Sequence, residues 1–195
     1  MDKQAIIKFF DKCSENWDAH MITDDDKMNK IMDTACVSQG KDILDIACGT
    51  GVMFNYYLSR NVNHITGVDI SSEMIKICRD KFSSNDKIDV ICADADTMTF
   101  DGNYDCCIVF NAFPHFIDPK ALISNLYTSV KTGGTLTIAH DRGRKALDIH
   151  HSGEANPYSN GLMSEDDLEQ IFIDCGFTST TKYATDEIYI VSGRK

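Results

Sequence analysis

The sequence predicts an α/β fold, a seven-stranded and mostly parallel sheet with helices on both faces and an antiparallel hairpin at its end. Short apolar runs alternate with amphipathic segments from residue 42 to 140, the pattern of strands buried on both faces and joined by helical crossovers. No repeat, low-complexity tract or long linker interrupts the 195 residues, a length suited to one hydrophobic core. The closing FTSTTKYATDEIYIVSGRK holds two strand-like runs around Thr185 and Asp186. Their turn is too short for a parallel crossover, so a hairpin must finish the sheet.

Taken in order, Ile6, Phe10, Cys13 and Trp17 share helical spacing, and so do Met28, Ile31, Met32 and Ala35 behind the acidic run from Asp24 to Asp26. Two amphipathic helices therefore precede the sheet. DILDIA (42–47) reads as the first strand, 52–58 as a helix and HITGVDI (64–70) as the second strand. Ser71 or Ser72 caps a helix whose Met74, Ile75, Cys78 and Phe82 share one face. KIDVICAD (87–94) and YDCCIVF (104–110) are strands three and four. Asp118 and Pro119 open a helix expected to end near Gly133 and Gly134, and TLTIAH (135–140) is strand five. Ser164 and Asp167 make a capping-box-like start for a last helix, buried through Leu168, Ile171, Phe172 and Cys175 and ending at Gly176.

Composition narrows the function classes. The hydrophobic share of 43% with 25% charged residues is that of a globular domain. A formal net charge of -11 repels a phosphate backbone, so no nucleic-acid partner is expected. No run reaches the ~18 apolar residues of a membrane span, and MDKQAIIKFFDKCSENWD lacks the apolar stretch of a signal peptide. No membrane span and a cytoplasmic location are the expectations. The eight cysteines sit inside apolar patterns without a CxxC, which favours buried reduced thiols over a disulfide framework or a zinc ribbon.

The chemistry is concentrated where DILDIACGTG passes from a strand into a helix. Gly49 and Gly51 allow a tight turn and close approach of a ligand to backbone N–H groups. A pyrophosphate-binding turn would carry GxGxxG, and this one has no third glycine. Asp69, at the end of strand two, can accept hydrogen bonds from both hydroxyls of a ribose, whereas the plainer reading makes it a helix cap. Together these point to a nucleoside ligand without phosphate.

DIACGTG, GVDIS, CADADTMTF and YDCCIVFNAFPHF, in this order, resemble the successive motifs of class I S-adenosylmethionine-dependent methyltransferases, whose sheet is Rossmann-like. The resemblance runs from about residue 41 to 140 and is nearest to the ubiquinone/menaquinone C-methyltransferase-like branch (methyltransferase types 11 and 25), as is FFDKCSENWD at the entry. It implies S-adenosylmethionine as cofactor, with Asp45 and Gly49 beside its methionine part, Asp69 on the ribose, Asp94 at the adenine amine and Asn111 near the amino acid moiety. The fold divides accordingly into a helical lid (1–40), a cofactor-binding core (41–140), an acceptor-side connection (141–163) and a closing helix and hairpin (164–195). Carboxylates also suit a ligand with a sulfonium and an ammonium. Met74 and Met98 are candidates to flank the adenine, against a role in the core.

The expected partner is a small-molecule methyl acceptor. Base-amine methyltransferases carry Asn-Pro-Pro-Tyr after strand four, and this chain has Asn111, Ala112, Phe113 and Pro114. His115 on that loop is a candidate for acceptor contact, and Trp17 and His20 for the lid. Asp141 and His151 are the preferred catalytic pair of the long connection after strand five. His140, Asp141, His150 and His151 could alternatively hold a divalent metal, against a plain solvated loop that also carries Arg142, Arg144 and Lys145. The other readings weighed are an S-adenosylmethionine-binding regulator without turnover, a thiol or metalloid methyltransferase, and an NAD-dependent reductase. Cys106 and Cys107 would point to opposite faces of strand four and so make no chelate.

Overall fold

The structure is a computed structural model that describes residues 2–20, 22–100, 103–151 and 158–195, with backbone alone for His20 and residues 148–151. Its sheet has seven strands: β1 (Asp42–Ile46), β2 (His64–Asp69), β3 (Ile88–Cys92), β4 (Tyr104–Phe110), β5 (Val130–His140), β6 (Ser179–Ala184) and β7 (Tyr189–Arg194). They lie in the order β3-β2-β1-β4-β5-β7-β6. All pairs from β3 to β5 are parallel, while β7 runs antiparallel to both β5 and β6. This is the seven-stranded, mostly parallel sheet with a terminal antiparallel hairpin that the alternating pattern and the short terminal turn foretold. Strand order reverses direction between β1 and β4, which opens a crevice at the carboxyl edge of the sheet where α/β folds bind ligands.

Helices cover both faces, as the continuous apolar strands require. On one face, α2 (Asp25–Thr34), α3 (Phe54–Ser59) and α4 (Ser72–Phe82) contribute Met28, Ile31, Phe54, Tyr57, Ile75 and Cys78 to a core with Ile43, Ile65 and Cys106. On the other, α5 (Pro119–Ser129) and α7 (Glu165–Asp174) contribute Leu122, Leu126, Leu168 and Phe172 to a core with Leu44, Cys107 and Val191. Cys106 and Cys107 therefore fall in different cores, as strand alternation demands. All eight cysteines are free; Cys48, Cys78, Cys106 and Cys107 are buried, whereas Cys36 and Cys92 are exposed, against the expectation of uniform burial.

The caps are side-chain specific. Ser71 accepts from the Met74 N–H, and Asp118 from the Ala121 N–H with Pro119 in the first turn. Ser164 accepts from the Asp167 N–H, but the Asp167 carboxylate takes the Ser164 hydroxyl at 2.5 Å. Aspartate is one methylene too short for the reciprocal bond of a full capping box.

Three boundaries differ from the sequence reading. The first amphipathic stretch divides into α1 (Lys3–Cys13) and two 3-10 turns, Ser14–Asn16 and Asp18–His20, so Trp17 lies beyond the helix. The α5 helix stops at Ser129, and Gly133 and Gly134 belong to β5. There Gly133 donates to the Lys195 carbonyl at 2.7 Å and the register with β4 shifts between Tyr104 and Cys106, so the glycines mark an irregular strand entry instead of a helix end. The polar connection after β5 contains α6 (Arg144–His151), whose Leu147 is buried in the second core.

Candidate functional site: a cavity at the carboxyl edge of the sheet

A cavity of about 450 Å³ opens at the ends of β1, β2 and β4, lined by residues from every motif singled out above. Ala47, Cys48 and Gly49 come from the turn after β1, Asp69 and Ile70 from the end of β2, Asp94 and Asp96 from beyond β3, and Asn111 and His115 from the loop after β4. Asp141, Arg142 and Leu147 supply the wall after β5, and Ile6, Phe9, Phe10 and Trp17 of the N-terminal segment cover it.

The glycine turn is held from within. Asp69, only 9% exposed, accepts the Gly49 N–H through Oδ2 and the Ser71 N–H through Oδ1, each at 2.8 Å. Burial pushes its carboxyl above the usual range, while the backbone donors at Ser71 and Gly49 oppose that shift. Gly51 faces away from the cavity. Its φ is +83° and a Cβ there would stand 2.7 Å from Phe82 and 2.9 Å from the Cys78 sulfur, so only glycine fits between the turn and α4. Gly51→Ala is accordingly expected to cost about 3 kcal/mol, from left-handed strain plus overpacking. A thermal melt checks this, and a melting temperature unchanged from the parent would refute it.

Asp45 also stands behind the wall. It is 1% exposed, and its Oδ2 accepts from the Tyr57 hydroxyl at 3.2 Å. Of the six proposed cofactor contacts, Gly49, Asp69, Asp94 and Asn111 reach the cavity, while Asp45 and Gly51 support the turn from beneath. Met74 lines the cavity and Met98 packs against the second core.

Backbone strain collects at the same edge. Ala47 has φ +56° and Asn111 φ +52°, left-handed values that cost a non-glycine residue roughly 1 kcal/mol and recur where geometry serves a ligand. Asn111 is fixed by a reciprocal pair: its amide donates to Asp141 Oδ1 at 3.0 Å, and the Asp141 N–H donates to Asn111 Oδ1 at 3.1 Å. The ends of β4 and β5 are thereby clamped side by side.

The N-terminal segment is anchored by ion pairs and hydrogen bonds. Lys3 reaches Asp94 at 2.6 Å and Asp96 at 2.9 Å, Asp11 accepts from the Ser71 hydroxyl at 2.6 Å, and Asp18 accepts from Thr50 at 2.5 Å. Although burial works against its charge, Asp94 and Asp96 together raise the Lys3 pKa. Beneath these contacts an aromatic cluster forms: Phe10 meets His115 edge-on at 5.0 Å and Trp17 at 5.9 Å, while Phe9 stacks on Tyr158 at 4.7 Å. His115 Nδ1 lies 2.7 Å from the Tyr158 carbonyl oxygen. A carbonyl only accepts, so Nδ1 carries the proton, and in the neutral ring Nε2 is the basic nitrogen.

His140 is 1% exposed and packs edge-on to Tyr189 at 6.1 Å, away from the cavity wall. The side chains of His150 and His151 lie outside those described, so the expected Asp141 and His151 pair has one placed member. Among the described residues no group of three or more His, Cys, Asp or Glu side chains is arranged to hold a metal ion. No described helix is long and apolar enough to cross a membrane. The sequence reading passed over Ala47, Phe9, Asp96 and Leu147 as wall residues, although the second aspartate of CADADT was a visible signal for Asp96.

Residues 44–138 match the family model described as a methyltransferase domain. The chain is 27% identical over 157 residues to a malonyl-[acyl-carrier protein] O-methyltransferase of Acetivibrio thermocellus, covering 79% of this chain and 55% of that protein. It is 26% identical over 145 residues to a ubiquinone biosynthesis O-methyltransferase of Coxiella burnetii, covering 70% of this chain and 61% of that one. The chain thus spans less than two thirds of the length of these curated relatives. In fold it is similar to a phosphoethanolamine N-methyltransferase 2 of Haemonchus contortus solved with S-adenosylhomocysteine, at a TM-score of 0.68 and 21% identity over 81% of this chain and 38% of that one. The domain match, the named relatives and the strand order agree: in sequence and in fold the chain is similar to methyltransferases, most of all over residues 44–138.

Proposed function

We propose that this chain binds S-adenosylmethionine in the carboxyl-edge cavity and transfers its methyl group to a small-molecule acceptor. The observation that carries the reading is Asp69, a buried carboxylate on the cavity wall whose Oδ2 holds the Gly49 N–H and Oδ1 the Ser71 N–H, fixed at the ligand edge where it can also accept from a ribose. The residues present suit this cofactor. Gly49 has φ +54° and space around its missing Cβ, Asp94 and Asp96 give an acidic wall, and no third glycine prepares the turn for pyrophosphate. When bound, the cofactor supplies a methyl carbon on a sulfonium, which the acceptor's lone pair attacks as the carbon–sulfur bond breaks toward sulfur, leaving S-adenosylhomocysteine.

The chain's own part is placement and proton handling. In-line displacement depends on holding donor and nucleophile at near-attack distance. The Asn111–Asp141 clamp fixes one side of that geometry, and Phe9, Phe10 and Trp17 exclude water from the other. His115, with Nε2 as its basic nitrogen, is the candidate to take a proton from an acceptor hydroxyl, and Asp141 is the second candidate. His151 on α6 remains a catalytic candidate of the acceptor side. Residues 1–40 form the lid in this scheme, 41–140 the cofactor half, 141–163 the acceptor wall and 164–195 the closing helix and hairpin.

Titration calorimetry tests the reading: S-adenosylmethionine and S-adenosylhomocysteine are expected to bind and NAD is not. A methyl-transfer screen over phenols, carboxylic acids, thiols and amines then follows turnover. Asp141→Asn and His115→Gln should lower turnover at least tenfold with cofactor affinity held within threefold. Saturable NAD binding without a response to S-adenosylmethionine would reject the proposal, and cofactor binding without turnover on any acceptor would favour a regulator.

A further inference from the structure

The cavity is electrically lopsided. Asp69, Asp94 and Asp96 stand at its nucleoside end, where Lys3 is already bound by two of them. Lys3 and Arg142 are the lysine and arginine that line the cavity, and they differ in their partners. Arg142 follows the clamped Asp141 on the opposite wall, and among the described residues it makes no ion pair. Lys27 of α2 adds a second positive group there, its amine donating to the Asp141 carbonyl at 3.1 Å. Arg142 is thus a cation on the cavity wall with Lys27 behind it, beside an Asp141 carboxylate already engaged by the Asn111 amide. The lining is also aromatic, with Phe9, Phe10, Phe110 and Phe116 among its residues.

We infer that the acceptor taken by this site is a planar aromatic molecule bearing a carboxylate, its ring held among the phenylalanines and its anion paired with Arg142. The inference rests on the proposed methyltransferase reading, because it assigns the nucleoside end to the cofactor and leaves the Arg142 end for the acceptor. The guanidinium fork matches a carboxylate with two parallel hydrogen bonds, which a neutral amide of the same shape cannot reproduce. Aromatic side chains favour a flat ring through stacked and edge contacts beyond simple area burial. Lys27 strengthens the local potential without entering the cavity wall.

The experiment uses the full chain saturated with S-adenosylhomocysteine and three probes, 4-hydroxybenzoate, 4-hydroxybenzamide and cyclohexanecarboxylate. Calorimetry should show 4-hydroxybenzoate binding at least tenfold more tightly than either of the others. In R142Q the preference for acid over amide should fall below threefold, and R142K should retain part of it because it keeps the charge and loses the fork. Equal binding of acid and amide by the parent chain, or an acid preference that survives R142Q, overturns the role of Arg142. Equal binding of the cyclohexane acid overturns the aromatic requirement. Failure of S-adenosylhomocysteine itself to bind, measured first, rejects the cofactor reading and this inference together, whereas its binding without a charge preference rejects the inference alone.

Discussion

Asp69→Ala is expected to weaken S-adenosylhomocysteine binding by about a hundredfold or more. The carboxylate accepts the N–H groups of Gly49 and Ser71, one on each oxygen, with a further backbone donor at Ile70. A ribose hydroxyl would add to these, and a hydrogen bond to a charged group contributes roughly 1.5–3 kcal/mol. Alanine removes that contact and also releases the glycine turn that presents backbone to the ligand. Asp69→Asn separates these effects, because its oxygen still accepts one backbone N–H while its amide donors face the other. That variant should bind with a loss between parent and alanine, with a melting temperature nearer the parent. An Asp69→Ala affinity within threefold of the parent would remove Asp69 from the binding site.

Much of this site was readable because its parts obey local rules. The strands are apolar on both faces, so a run such as YDCCIVF can only be interior to a covered sheet. The ends of such strands define the ligand edge, and Asp69, Asp94 and Asn111, each just past or at a strand end, line one cavity there. Side-chain direction was less legible. Asp45 and Gly51 lie in the same turn motif as Gly49, yet one points into the sheet toward Tyr57 and the other packs on Phe82 and Cys78. A motif fixes sequence position, while the facing side is set by strand alternation and by the left-handed residues Ala47, Gly49 and Gly51.

The misjudged boundaries have similar causes. Gly133 and Gly134 look like a helix stop, but β5 begins at Val130 because the chain enters pairing with Tyr104 before the bulge and uses its glycines inside the strand. Polar content hid α6, whose Leu147 packs in the second core. The packing of the N-terminal segment depends on contacts of long sequence separation, such as Lys3 with Asp94 and Asp11 with Ser71, which no local pattern announces.

Asp45→Asn is expected to make the protein more stable at pH 8 than its parent while leaving it close to the parent near pH 4. Asp45 lies near the carboxyl end of β1, wholly buried beside Gly67 and Ile108, with the Tyr57 hydroxyl as a hydrogen-bond donor. Burial pushes its carboxyl up to about 8; the Tyr57 bond lowers it and the nearby Asp69 charge raises it. The native state therefore holds a proton here across a range in which the unfolded chain has lost it. The group's stabilising contribution is full below the unfolded pKa near 4 and is lost progressively as pH rises toward 8. Each unit is worth about 1.4 kcal/mol, so the whole window amounts to roughly 5 kcal/mol as an upper scale. Asparagine has the shape of the protonated acid and no charge to desolvate, which removes this slope while Tyr57 keeps a partner. Urea unfolding of both proteins at pH 5, 6.5 and 8 reads the difference, which should widen with pH in favour of Asp45→Asn. Parallel stability curves, or a variant less stable than the parent by the same margin at every pH, would show that the Asp45 carboxyl is not held protonated by its burial.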